Sequence, residues 1–155
     1  MYISFFHLPI HVGSCNGGFV SNGEYCYAFI DRLETWVEAG SNCRVLNAYL
    51  AEPRSQQESD FVKQLVQNHT QSGHQSHGVW LGGEDQVIEG KWFWAQSGAP
   101  VDGGFTNWKA GEPNSASRLE NCMEYYIHSK AWNDAPCNFT LPFICQKDHI
   151  SDVIG

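Results

Sequence analysis

The chain has 155 residues, 42% of them hydrophobic and 14% aromatic, with a formal net charge of −8. That length fits one domain with a real core, and the apolar content excludes a largely disordered chain. Nine Lys and Arg against 17 Asp and Glu argue against a nucleic-acid partner, whose phosphates need basic contacts, and no apolar run is long enough to insert into a membrane as a spanning helix.

Residues 1–14 read as an N-terminal extension or a residual signal segment. Ile3, Phe5 and Phe6 make a short apolar run, but no basic n-region precedes it and His7 and Pro9 interrupt it. Residues 18–30 read as two strands around Asn22-Gly23, a strong hairpin signal. Cys15 and Cys26 flank that turn and suit a local staple. Residues 35–46 read as a helix, because Trp36, Ala39, Cys43 and Leu46 recur at spacings of three and four. A second helix starts at Ser55, where Ser55 and Glu58 match a capping box. Phe61, Val62, Leu65 and Val66 supply its buried face, and the helix is expected to end from Asn68. His69, His74 and His77 follow in a polar stretch. Their spacing does not put three imidazoles on one helical face, so a solvated loop is favoured over a zinc site.

Residues 79–82 read as a strand, and residues 91–94 as another after a turn at Gly90. From there to Asn121 the chain is rich in Gly, Pro, Ser and Asn. Long irregular segments inside a compact domain usually carry function. Residues 123–127 and 141–146 read as closing strands. The domain spans residues 15–147, with 148–155 a C-terminal tail, and its class is α+β.

The six cysteines, Cys15, Cys26, Cys43, Cys122, Cys137 and Cys145, contain no CxxC pair. Disulfides in an oxidising compartment are the better reading, and sequence physics alone leaves their pairing open. Two N-glycosylation sequons, at Asn68-His69-Thr70 and Asn138-Phe139-Thr140, agree with a secreted, extracellular protein.

Calcium takes roughly six to eight hard oxygen ligands. Glu112-Pro113-Asn114 offers a carboxylate and an amide around a proline, and a cis bond there would turn both side chains toward one point. Glu120 lies just before Cys122, and Asn133-Asp134 just before Cys137. Pairing of those two cysteines would bring Glu120 close to Asn133 and Asp134. The five side chains then supply three negative charges and two neutral carbonyls, a sensible shell for one divalent cation. Singly, each segment is an ordinary surface turn; their joint placement around a cysteine pair is what points to a site.

Trp36-Val37-Glu38-Ala39 leading to Cys43, Leu50-Ala51, Glu58 to Phe61, Trp80-Leu81-Gly82-Gly83, Asn107-Trp108, Gly111-Glu112-Pro113-Asn114, Glu120-Asn121-Cys122, Trp132-Asn133-Asp134 and Phe143-Ile144-Cys145 form a highly specific set. On these the sequence resembles a C-type lectin domain from Cys15 to Cys145, most of all the stand-alone lectins and perlucin-like proteins of marine invertebrates. The resemblance implies a C-type lectin-like fold: two helices flanking two small antiparallel sheets, with a long irregular loop region. It implies disulfides Cys15–Cys26, Cys43–Cys145 and Cys122–Cys137, and a cis bond before Pro113.

It also implies that Glu112, Asn114, Glu120, Asn133 and Asp134 hold Ca²⁺ and contact sugar, with Asp134 adding its backbone carbonyl. Members with an auxiliary Ca²⁺ bind it at positions matching Asp85, Glu89, Ser115, Glu120 and Asn121. They usually carry acids where Ser115 and Asn121 stand, so a second metal here is expected to be weak.

The function implied is calcium-dependent carbohydrate binding, with two sugar hydroxyls coordinated directly to Ca²⁺. Glu-Pro-Asn goes with mannose, fucose, glucose and N-acetylglucosamine in this family, and Gln-Pro-Asp with galactose. The partners implied are glycans or glycoproteins, including microbial surfaces in innate defence, a use that rests on analogy. The alternative is a lectin-like module that binds protein or calcium carbonate mineral. An enzyme is not expected, because a calcium-bound carboxylate is a poor proton donor and no nucleophile elbow or zinc-hydrolase motif occurs. A single shallow sugar site gains roughly 4 kcal/mol, a millimolar affinity, so useful avidity calls for several sites, as in a homo-oligomer.

Overall fold

The computed structural model describes residues 15–149 apart from 72, 74 and 75. The N-terminal extension, His74 and the tail beyond His149 lie outside the described residues. The strands are β1 (Val20–Asn22), β2 (Tyr25–Glu34), β3 (Tyr49–Leu50), β4 (Gly78–Glu84), β5 (Phe93–Trp94), β6 (Cys122–Tyr126), β7 (Ala131–Ala135) and β8 (Leu141–Asp148), and the helices are α1 (Trp36–Val45) and α2 (Gln56–Thr70).

β1 and β2 form the expected hairpin. Asn22 pairs with Tyr25, so Gly23 and Glu24 make the turn, and Gly23 takes the positive φ of 60° that such turns require. β2 runs past its expected end because β8 continues to pair with it, with a register shift between Ile30 and Glu34.

α1 begins at a reciprocal capping box. The Thr35 hydroxyl accepts from the Glu38 N–H, and Glu38 Oε2 accepts from the Thr35 N–H. Ala39 and Cys43 are buried as the periodicity requires, but Leu46 is the C-cap and is exposed. In α2 the expected box is half formed. Ser55 Oγ accepts from the Glu58 N–H, while Glu58 Oε2 accepts from Arg54 instead of Ser55. This helix also runs on to Thr70, whose hydroxyl donates back to the Val66 carbonyl. Val62, Leu65 and Val66 are buried.

The sheet order is β1-β2-β8-β4-β6-β7, with β3 on β8 and β5 on β4. Every pairing is antiparallel except β4 with β8, which meet in parallel at Trp80 and Phe143. Two small antiparallel sheets are thus joined into one mixed sheet, and the Gly82 N–H adds a bond to the Ala51 carbonyl at 2.9 Å. β7 is a strand although Asn133 and Asp134 are poor strand formers; five paired residues on β6 hold it.

The disulfides are Cys15–Cys26, Cys43–Cys145 and Cys122–Cys137. The second ties α1 to β8, and the third ties the start of β6 to the segment after β7. His69 and His77 go to different partners. The His69 ring stacks on Phe29 with centroids 4.6 Å apart, while His77 lies beside Glu124. Among the described residues no helix is long and apolar enough to cross a membrane.

Two groups fasten the long loop region. Glu52 is buried and accepts from the N–H groups of Gln96 and Ser97 and from the Ser97 hydroxyl. Trp132, fully buried on β7, makes edge-to-face contacts with Trp94, Trp108 and Phe105. Its backbone N–H donates to the Asn107 carbonyl at 2.7 Å, and its carbonyl accepts from Lys109 at 2.8 Å. The tryptophans therefore serve packing.

Trp132→Ala is expected to cost about 3–5 kcal/mol, the range for a buried aromatic deleted from a core. Thr35→Ala, which removes one helix cap, is expected to cost about 1 kcal/mol. Urea unfolding of both variants measures the contrast.

Candidate functional site

The loop reaches the site directly from its anchor on Trp132. Lys109 is bonded to Trp132, and the Glu112 N–H donates to the Lys109 carbonyl at 2.9 Å. Gly111 takes a φ of 86° in that turn, a conformation that favours glycine. The Glu112-Pro113 bond is cis. Asn114 folds back on Glu112, its backbone N–H donating to Oε2 and its Nδ2 to Oε1, both at 3.0 Å. The Ala116 N–H is shared between Asn114 Oδ1 at 2.9 Å and Glu120 Oε2 at 2.8 Å. Ser115, in the left-handed region with φ 49°, donates its N–H to Asp134 Oδ2 at 2.6 Å.

Asp134 is fully buried, and its other oxygen, Oδ1, has no hydrogen-bond partner among the described residues. Unpartnered buried carboxylate oxygens are costly and rare. Burial, then hydrogen bonding and repulsion from the Asp134 carboxylate, push Glu112 up to about 7; Glu120 adds to this, and the Asn114 N–H opposes it. Glu112, Asn114, Glu120 and Asp134 are thus linked into one acidic set through the backbone N–H groups of Asn114, Ser115 and Ala116. Its oxygens are hard donors, and such a set fits a divalent cation of the calcium type.

Asn133 is held differently. Its Nδ2 donates to Glu124 Oε1 at 2.8 Å. Glu124, at 1% exposure, is raised above the usual carboxylate range by burial, against the opposing pull of Asn133 and His77. His77 Nε2 lies 3.0 Å from Glu124 Oε2, at ion-pair distance but off the line of a hydrogen bond. Glu124 escapes a sequence reading because it sits alone between apolar strand residues and matches no ligand pattern.

A second acidic group adjoins the first. Asp85 is buried, and its Oδ2 accepts from the Gly90 N–H at 2.8 Å. Burial raises its carboxyl, the Gly90 N–H opposes this, and Glu89 and Asp134 add repulsion. The Ser115 hydroxyl donates to Glu89 Oε1. With its amide nitrogen facing the acids, Asn121 donates to Asp85 Oδ1 at 3.0 Å and to Glu89 Oε2 at 3.2 Å. The two neutral residues thus meet these acids with hydrogen bonds.

The fold and this loop architecture meet a family match: the Lectin C-type domain matches residues 32–147. The chain belongs to the C-type lectin domain family. It is 33% identical to perlucin of Haliotis laevigata over 138 residues, covering 88% of this chain and 84% of perlucin. It is 31% identical to the galactose-specific lectin nattectin of Thalassophryne nattereri, covering 87% of this chain and 81% of nattectin.

Among solved structures, it is similar to the cow CD23 carbohydrate-recognition domain in the presence of a GlcNAc2Man3 oligosaccharide. The TM-score is 0.77 and the identity 29%, over 90% of this chain and 99% of that one. A calcium-independent type II antifreeze protein also has a TM-score of 0.77, at 28% identity over 91% of this chain and 99% of that one. The C-type lectin domain is a lectin fold and not an enzyme family.

In calcium-free protein, folded Glu112 keeps its proton to about pH 7 while the unfolded chain loses it in the ordinary carboxylate range. The folded state then binds more protons, so stability falls as pH rises across that window. Thermal melts in chelator are expected to show this slope, and Glu112→Gln is expected to flatten it.

Proposed function

We propose that this domain binds carbohydrate through one Ca²⁺ held by Glu112, Asn114, Glu120, Asn133 and Asp134. The observation that carries the reading is the buried Asp134 carboxylate, whose Oδ1 has no hydrogen-bond partner among the described residues, set beside the Glu112–Asn114 turn. When bound, the ion supplies positive charge and open coordination positions for two neighbouring sugar hydroxyls. The protein's own groups then complete recognition. Glu112 and Glu120 accept the hydroxyl protons, while the Asn114 and Asn133 amides donate to the hydroxyl oxygens. Glu112 and Asn114 serve one hydroxyl, Glu120 and Asn133 the other.

The Glu112-Pro113-Asn114 triplet favours mannose-type sugars: mannose, fucose, glucose and N-acetylglucosamine. Nattectin's name specifies galactose, which makes sugar choice the first thing to measure. The neighbouring group of Asp85, Glu89, Ser115, Glu120 and Asn121 binds a second ion weakly at most, because Ser115 and Asn121 bring no charge and already occupy the acids as donors. The three disulfides suit an extracellular protein. The partners proposed are glycans of glycoproteins or microbial surfaces, bound with avidity by a homo-oligomer.

A glycan array read with and without EDTA is expected to show chelator-sensitive binding to mannose-type sugars; binding that survives chelation sinks the mechanism. Asn133→Ala with Asp134→Ala is expected to abolish Ca²⁺ binding by calorimetry. Glu112→Gln with Asn114→Asp, which reverses donor and acceptor, is expected to move selectivity toward galactose.

The two sequons differ in setting. Asn138, Phe139 and Thr140 are all exposed in the turn between β7 and β8. Asn68 lies within α2, and the Thr70 hydroxyl is already bonded to Val66. After expression through a secretory pathway, mass spectrometry is expected to find glycan on Asn138 and none on Asn68. An unmodified Asn138 in secreted protein refutes this.

A further inference from the structure

We infer that Glu124 is a positioning residue for Asn133: its buried carboxylate turns the Asn133 amide so that Oδ1 is presented to the cation. This rests on the calcium reading above and extends it to a residue outside the ligand set. Glu124 on β6 stands opposite Asn133 on β7 in the sheet register. The Asn133 Nδ2 donates to Glu124 Oε1 at 2.8 Å. Oε1 stands there as an acceptor, so the amide nitrogen faces it and the amide oxygen is turned away. The flip that would otherwise exchange the two ends of the side chain is thereby blocked. Oδ1 remains free for a metal, and the second N–H remains free for a sugar hydroxyl.

The site of Glu124 is built around its carboxylate. A Cβ at position 78 would stand 2.0 Å from Glu124 Oε2 and 2.8 Å from Cδ, so Gly78 is what leaves the space. On the other side His77 Nε2 lies 3.0 Å from Oε2. The flanking residues on β6, Met123 and Tyr125, are buried hydrophobic residues. An apolar side chain at 124 would suit the core better than a carboxylate, which is expensive to bury. A need to orient the facing amide explains why a buried hydrogen-bond acceptor stands there.

The test compares three variants by calcium calorimetry, with thermal melts in EDTA to check folding. Glu124→Gln keeps an oxygen that can accept from Asn133 and is expected to bind Ca²⁺ within about threefold of the parent. Glu124→Leu removes the acceptor and is expected to weaken Ca²⁺ binding about 10–100-fold, the usual effect of losing a group that orients a metal ligand. Gly78→Ala keeps the charge but displaces the carboxylate, and is expected to weaken binding about tenfold even if the leucine variant does not fold.

A purely structural role for Glu124 would lower the melting temperature in EDTA and leave the calcium affinity of folded variants unchanged. That result overturns the proposal. In the calcium-free protein, NMR gives a second readout. The Asn133 side-chain amide protons are expected to exchange slowly in the parent and in Glu124→Gln, and quickly in Gly78→Ala. Parent protein that binds no Ca²⁺ overturns the calcium reading and this proposal together. Tight parent binding with folded, unaffected Gly78→Ala overturns this proposal alone.

Discussion

The candidate site depends on Trp132. Its ring fills the core between Trp94, Trp108 and Phe105, and its backbone bonds both ways to the segment around Asn107 and Lys109. A long irregular loop loses much conformational entropy when ordered, and its own turns hold it only locally. Glu52 fastens the loop's start, and β7 fastens the part that reaches the site. The same strand that carries Asn133 and Asp134 therefore also fixes the loop that carries Glu112 and Asn114. Core packing and site geometry are one constraint.

That constraint creates an electrostatic problem. Glu112, Glu120 and Asp134 face one short stretch of backbone, Asp134 fully buried and the two glutamates half-buried, and Asp85 and Glu89 stand nearby. Like charges at close range oppose folding unless donors or a cation answer them. The loop supplies part of the answer through the N–H groups of Asn114, Ser115 and Ala116. No donor N–H among the described residues reaches Asp134 Oδ1, and Glu112, beside the Asp134 carboxylate, is driven up to about 7. The residual imbalance is what a hard cation would relieve.

Much of this was legible in the residues themselves. The hairpin, both helices and most strands follow from turn dipeptides and apolar spacing. Leu46 misleads because a spacing pattern does not know where a helix stops. β7 and β3 were invisible for separate reasons: the first contains polar residues that strands disfavour, and the second is two residues long. The cysteine pairing needed the family resemblance, since spacing permits many solutions. Glu52 and Glu124 were missed because a single acid outside any ligand pattern gives no signal until its neighbours in space are known. The joining of two sheets through Trp80 and Phe143 is likewise a long-range event that no local pattern encodes.

Ser115 shows how the two acidic groups are separated. Its backbone N–H serves Asp134 and its hydroxyl serves Glu89, so one residue touches both. Ser115 stands in the left-handed region, with its two donors on different acids. An acid in its place would keep the N–H contact with Asp134 but exchange a donor for another negative charge beside Glu89. Such a change would add demand for a second ion without altering the first set. The neutral hydroxyl instead closes the second group with hydrogen bonds, as Asn121 does from the other side. Charge demand is left concentrated on Asp134 and Glu112, where the loop and β7 meet.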